Sequence, residues 1–291
     1  MKAFNNLRQT FLFSKILGLA PIIITDDRCK KLGYLKICNY SLLLINIFST
    51  LIACMCLGFL MNNSYIVFFI EVSDIAISVT ISSFGVFLVL KDDDSILKVI
   101  NRIQTHTNQQ FLLKTKKLYL TSCLIKFYGI LSYIIITISA AILGFKFEKN
   151  IVAGIANALS AILLFRVFKV LPLQYFSLVL VIGTCWANIN QKICRMNYKI
   201  SAMQNRKFLK KLKRLRLAAE DLINILEEVN KIYIKIMFMF CLTLFIEWIY
   251  IIISLLLKEK LIFAVVLKMI SLSIYLIICV AVCDFTSNQV S

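Results

Sequence analysis

An all-α polytopic membrane helix bundle is the fold class this sequence predicts. Three observations predict it: an apolar excess too large for a soluble core, about six stretches long enough to cross a bilayer, and a one-sided distribution of Lys and Arg. Of the 291 residues 60% are hydrophobic, mean hydropathy is +0.85, and only 16% are charged. With 2 Pro and 8 Gly there is little to interrupt long helices. The formal net charge of +18 would raise nucleic acid as a partner in a soluble protein. Between apolar spans, basic residues set membrane orientation instead, so no nucleic-acid partner is expected.

A window of about 20 apolar residues, the length that crosses the hydrocarbon core, finds spans near 37–60, 65–90, 119–145, 151–186, 233–257 and 261–283. The fourth is too long for one straight crossing and carries Arg166, Lys169 and Pro172. Its second part is therefore expected to bend or to continue as a protein-covered helix. Segments 1–36, 91–118 and 187–232 hold seven, six and eleven Lys and Arg, twenty-four in all; the loops on the other side hold four, at Lys146, Lys149, Lys258 and Lys260. This places the amino terminus in the cytoplasm, in a multi-pass plasma-membrane protein with short outer loops. The whole chain, 1–291, reads as one membrane domain: a cytoplasmic or interfacial 1–36, helices one to four over 37–186 with the loop 91–118, a basic anchor segment 187–232, helices five and six over 233–283, and a tail 284–291.

The stretch Phe11 to Pro21 resembles a signal-peptide core but lacks a small-residue cleavage site, so it is read as an interfacial or re-entrant helix. In 94–103 a cap at Asp94 or Ser95 precedes Ile96, Leu97, Val99, Ile100 and Ile103, at helical spacing. In 207–232 a basic run from Lys207 to Arg216 gives way to Leu215, Leu222, Leu226 and Val229, spaced by seven, four and three; such a stripe buries itself against other helices. The basic run itself would meet anionic lipid in the simplest reading.

The ten cysteines sit in apolar spans or beside basic segments, which is not the layout of a secreted disulfide framework. Cys54 and Cys56 have no His nearby, and no metal or other cofactor is expected. There is no phosphate-cradling glycine loop and no spaced nucleophile and base, so an enzyme is not expected either. His106, the one histidine, is expected on a solvated face.

Ionisable groups inside spans are costly and so become site candidates. Glu71 and Asp74 share one helix face in the second span. Glu247 in the fifth and Lys268 in the sixth lie at similar depths and could pair across a tight hairpin, or line a wet cavity open to the outside. Lys126, Arg166, Lys169 and Lys235 lie nearer the inner side, where long side chains snorkel and position helices. Tyr133, Trp248, Tyr250 and Tyr275 could stack on an organic ligand, although belt or core roles are commoner for such rings. Asn62-Asn63-Ser64 is a glycosylation sequon on the outer side, and Asn39-Tyr40-Ser41 also matches on the inner side.

Three stretches then carry a family resemblance. Phe13-Ser14-Lys15-Ile16-Leu17-Gly18-Leu19-Ala20-Pro21, Leu173-Gln174-Tyr175-Phe176 through Ala187-Asn188-Ile189-Asn190, and Arg214-Leu215-Arg216 through Leu222, Val229, Asn230 and Tyr233 are together similar to the insect gustatory receptor family, part of the insect chemoreceptor superfamily. That resemblance implies seven helices inverted relative to G-protein-coupled receptors, and homo- or hetero-tetramers with related subunits. It also implies a ligand-gated cation channel with a small-molecule tastant pocket in the outer half of the bundle. Under it Glu71, Asp74, Tyr133, Trp248 and Lys268 become pocket candidates, and the cytoplasmic helices, with Leu215, Leu222, Leu226 and Val229, become the intersubunit anchor. The family's pore helix carries a Thr-Tyr and Gln-Phe signature that is not found before Ser291. Either the sequence is a shortened gene model or isoform, or this member forms no pore alone. A small multi-pass transporter or other lipid-associated membrane protein, with Glu71, Asp74, Glu247 and Lys268 as its substrate or proton site, is the competing reading, but the two halves show no internal repeat of the kind transporters carry. A G-protein-coupled receptor would need its amino terminus outside, against the charge distribution.

Overall fold

The computed structural model describes residues 2–16, 20, 22–24, 29–31, 83–108, 171–197 and 205–256, together with scattered positions in 33–52, at 76 and 80, and in 270–284. These residues are nearly all helical, and the chain order is α1 (Lys2–Ile16), β1 (Ile22–Ile24), β2 (Cys29–Lys31), α2 (Asp93–Asn108), α3 (Leu171–Asn197) and α4 (Asn205–Leu256).

Helix α1 presents Leu7, Phe11 and Ser14, all buried and spaced by four and three, so they fall on one face. That face packs on α3, where the hydroxyls of Thr10 and Ser177 lie 3.1 Å apart. The stretch read as an interfacial or re-entrant helix over 11–21 begins inside α1, whose buried Leu7 and Phe11 pack on protein. Among the positions of α1 whose side chains are described, Arg8, Gln9 and Leu12 are exposed.

The short strands β1 and β2 depart from an all-helical expectation. They pair antiparallel with Ile22 opposite Lys31 and Ile24 opposite Cys29. Period two puts Ile22 and Ile24 on the same face, and both are buried. The ribbon is tied to α2: the Cys29 N–H donates to Asn101 Oδ1 at 3.2 Å, and the Cys29 thiol to Gln104 Oε1 at 3.5 Å.

Residues 83–91 are helical, and the chain bends at Asp92 before α2 begins. The Asp92 carbonyl accepts from Ile96 N–H at 3.0 Å, so the cap sits at Asp92, before the Asp94 or Ser95 expected from sequence. Asp93 and Asp94 in the first turn complement the positive helix end. The Asp93 side chain is 2% exposed and meets Lys36 Nζ at 3.3 Å, which offsets the cost of burying a carboxylate. Ile96, Val99, Ile100 and Ile103 are all buried, as their spacing predicts.

Helix α3 is the centre of the fold. Every residue from Phe176 to Cys185 is buried, nearly three turns without an open face, and the helix packs on α1, α2 and α4. It runs on past residue 186 to Asn197, half-buried over much of this stretch and exposed at Cys194 and Arg195.

Helix α4 has 52 residues and is about 78 Å long at 1.5 Å per residue. Cytoplasmic segment and fifth span, separate in the sequence reading, form this one continuous helix. Its buried stripe is Leu215, Leu222, Ile225, Val229, Tyr233, Ile236, Phe240 and Leu244, with Leu226 packed beside it. The opposite side of its second half is apolar and outward-facing at Ile234, Phe238, Phe245, Ile249 and Ile252. Leu171–Met196 and Phe208–Ile246 are both long and apolar enough to cross a membrane. Only about 20 residues of α4 can lie in hydrocarbon. Glu220, Asp221, Glu227 and Glu228 lie in its first half, and the stretch from about Tyr233 onward is the apolar run that the sequence reading took as the fifth span.

Candidate functional site

The described polar residues concentrate where α2 and α3 meet α4. On α2, Arg102 and His106 are four apart and share a face; on α4, Asp221 and Glu228 are seven apart and share another. The two faces meet. Arg102 Nη2 donates to Asp221 Oδ1, Arg102 Nη1 donates to Glu228 Oε1 at 2.6 Å, and His106 Nε2 lies 2.5 Å from Asp221 Oδ2. The planar guanidinium fork spans two carboxylates two turns apart, which an ammonium could not do. Burial pushes the Asp221 carboxyl up, but the hydrogen bonds and charges of His106 and Arg102 outweigh it and hold the group below its usual value. The hydrogen bond to Asp221 in turn raises Arg102 further, with Glu228 adding to it, against the opposing effect of burial. His106 therefore does not occupy a solvated face; its side chain is 12% exposed and paired.

Two and five residues beyond Glu228, at Asn230 and Tyr233, α4 is joined to α3 by two reciprocal rungs. Tyr233 donates to Gln174 Oε1 at 3.1 Å, and Tyr175 donates to Asn230 Oδ1 at 3.0 Å. The two tyrosine rings tilt against each other with centroids 5.8 Å apart. These four residues belong to two of the three stretches that carried the resemblance. Their role in this structure is to lock the long helix to the central one.

Of the ligand candidates, Trp248 lies on α4, half-buried and packed against the core. Glu247 precedes it on the same helix. Glu71, Asp74, Tyr133 and Lys268 lie outside the described residues, as do Asn62-Asn63-Ser64, Asn39, Lys126, Arg166 and Lys169. Tyr250 sits on α4, and Lys235 is exposed on it. Leu215, Leu222 and Val229 are buried within the chain, as the stripe reading required. Among the described residues no group of three His, Cys, Asp or Glu could hold a metal ion. Burial pushes the Cys29 thiol up to about 11, so it is no thiolate at neutral pH.

Sequence reading missed Arg102, Asp221 and Glu228. The available signal was two same-face pairs of opposite sign, at spacings of four and seven, on two amphipathic segments.

The geometry is that of a rigid lever. A long helix is clamped near its middle by charge and tyrosine–amide contacts, and it continues into a segment whose outward face is apolar. Outward apolar residues also recur at Ile37, Leu44, Phe48 and Leu51, spaced by seven, four and three. Such exposed stripes suit lipid and would be a liability in water. A family model described as 7tm chemosensory receptor matches residues 7–291. The chain belongs to the 7tm chemosensory receptor family. No curated protein matches it. This is the insect gustatory and odorant receptor family, and it is a receptor family rather than an enzyme family. Membership supports a chemoreceptor role, small-molecule ligand binding and a membrane setting for the helix bundle.

Proposed function

We propose that this 7tm chemosensory receptor is a gustatory-type subunit of a ligand-gated cation channel, placed in the plasma membrane with about six crossings and a cytoplasmic amino terminus. The observation that carries the reading is the family match over residues 7–291. It is supported by the Lys and Arg distribution, twenty-four on one side of the spans against four on the other. In this reading the tastant enters the outer half of the bundle, near Glu71, Asp74, Tyr133, Trp248 and Lys268. The clamp at Arg102, Asp221, Gln174 and Tyr233 holds the cytoplasmic half of α4, so a ligand acting near Trp248 moves one rigid helix. Subunits assemble as homo- or hetero-tetramers with related receptors.

The test is electrophysiology in oocytes expressing the chain with related subunits, challenged with sugars, bitter compounds and amino acids. Ligand-evoked cation current that Trp248→Ala or Lys268→Ala shifts to higher ligand concentration is the expected result. Silence across the panel with normal surface expression counts against the reading.

A further inference from the structure

The first turns of α4 are unlike the rest of it. Every residue from Leu209 to Arg214 is exposed, six in succession, which is more than a full turn and leaves no side of the helix covered. From Asn205 to Ala219 the sequence contains Arg206, Lys207, Lys210, Lys211, Lys213, Arg214 and Arg216 and no acidic residue. The first carboxylate is Glu220, which accepts from Arg216 at 2.8 Å. Among these cations Leu209, Leu212 and Leu217 are 60%, 39% and 55% exposed. A basic helical end bearing open leucines, uncovered over Leu209–Arg214 and first covered at Leu215, has the two features by which a helix is gripped: apolar anchors for a groove and charge for its rim.

An anionic membrane surface is the other occupant for such a sequence, and distance argues against it. Lys213 lies twenty residues before Tyr233, where the apolar crossing begins, so about 30 Å of continuous helix separates them. Even a tilt of about 40° leaves more than about 20 Å. Screening at physiological salt acts over about 8 Å, so headgroup charge is not felt at that height. We propose that residues 206–217 of α4 form a docking helix for an acidic cytoplasmic protein with an apolar cleft rimmed by carboxylates. This rests on the reading that places segment 187–232 in the cytoplasm.

The test uses the full chain in phosphatidylcholine nanodiscs, with fluorescent calmodulin as the acidic, cleft-bearing probe. Calcium opens the apolar groove of that probe, and chelation closes it. The expected result is calcium-dependent binding, weakened about tenfold or more both by Lys210→Glu with Lys211→Glu and Lys213→Glu, and by Leu209→Ser with Leu212→Ser. All five side chains are exposed, so unchanged thermal unfolding of the variants is the control for folding. Absence of binding, binding that ignores the leucine substitutions, or lysine-dependent capture of phosphatidylserine vesicles in its place would each overturn the proposal. The receptor reading fails separately, by protease protection that puts this segment outside the cell.

Discussion

Tyr233 donates its hydroxyl hydrogen to Gln174 Oε1 at 3.1 Å, and both side chains are completely buried between α3 and α4. Among the described residues the Gln174 Nε2 has no hydrogen-bond partner, so this contact to Oε1 is the one that serves the amide. Tyr233→Phe removes the donor and leaves the whole amide unpaired in an apolar interface. The expected cost is about 1–3 kcal/mol, several degrees in the Tm of the detergent-solubilised chain. Tyr233→Phe combined with Gln174→Leu removes both partners and should recover part of the loss. A single substitution that leaves Tm unchanged would show that the rung holds nothing.

The Arg102 bridge makes a different prediction, because its partners are partly exposed. Arg102→Leu strands Asp221 and Glu228 on one face of α4, and a loss of about 1 kcal/mol is expected for a solvent-screened network of this kind. Arg102→Lys should recover little, since an ammonium cannot span two carboxylates two turns apart. Thermal unfolding of the three proteins, side by side, checks both points.

Asp221 sets a pH dependence. Its carboxyl is held below the usual value in the folded chain, so the unfolded chain takes up a proton more readily. The stabilisation is thus complete above the ordinary carboxylate value near about 4 and is lost as the pH falls through the folded one. The Tm advantage of wild type over Asp221→Asn should be constant near neutrality and shrink below about pH 4. An advantage that persists under acid would show that Asp221 acts through packing alone.

Cysteine reactivity separates two sites that composition treats alike. Cys29 is buried, with its thiol pushed up to about 11, whereas Cys194 is exposed near the end of α3. Maleimide labelling of the folded protein at neutral pH should modify Cys194 readily and Cys29 only after denaturation. Mass spectrometry of the labelled peptides reads this directly.

What was legible in the sequence follows from which interactions are local. Ile96, Leu97, Val99, Ile100 and Ile103, and Leu215, Leu222, Leu226 and Val229, repeat at helical spacing, and the structure buries all of them but Leu97 and Leu226, which are half-buried beside the core. The β1–β2 ribbon was not legible, because a run of three Ile favours a strand but is too short to be told from part of an apolar helix. It is held by Cys29 docking on Asn101 and Gln104, more than seventy residues away. His106 was misread for a related reason: its partner Asp221 is 115 residues distant, and a lone histidine announces no partner. The two rungs lay inside stretches already singled out, but each stretch shows only half of each pair. Of the outer pocket candidates, Trp248 falls on α4, whose helical run the apolar sequence already announced.

Glu247 and Lys268 give the sharpest test of that outer half. A lone charge near the middle of a span costs about 2.5–3.5 kcal/mol on insertion scales, so each needs either a partner or water. If the two residues pair across the hairpin, Glu247→Lys or Lys268→Glu alone should sharply reduce surface expression. The exchange Glu247→Lys with Lys268→Glu should restore it, because the pair survives with its sign reversed. If both groups instead line a hydrated ligand site, the single charge reversals leave surface biotinylation near wild type, and the concentration of ligand needed for a response shifts. The exchanged protein would then not recover wild-type sensitivity, since a ligand distinguishes the two positions and a salt bridge between helices does not.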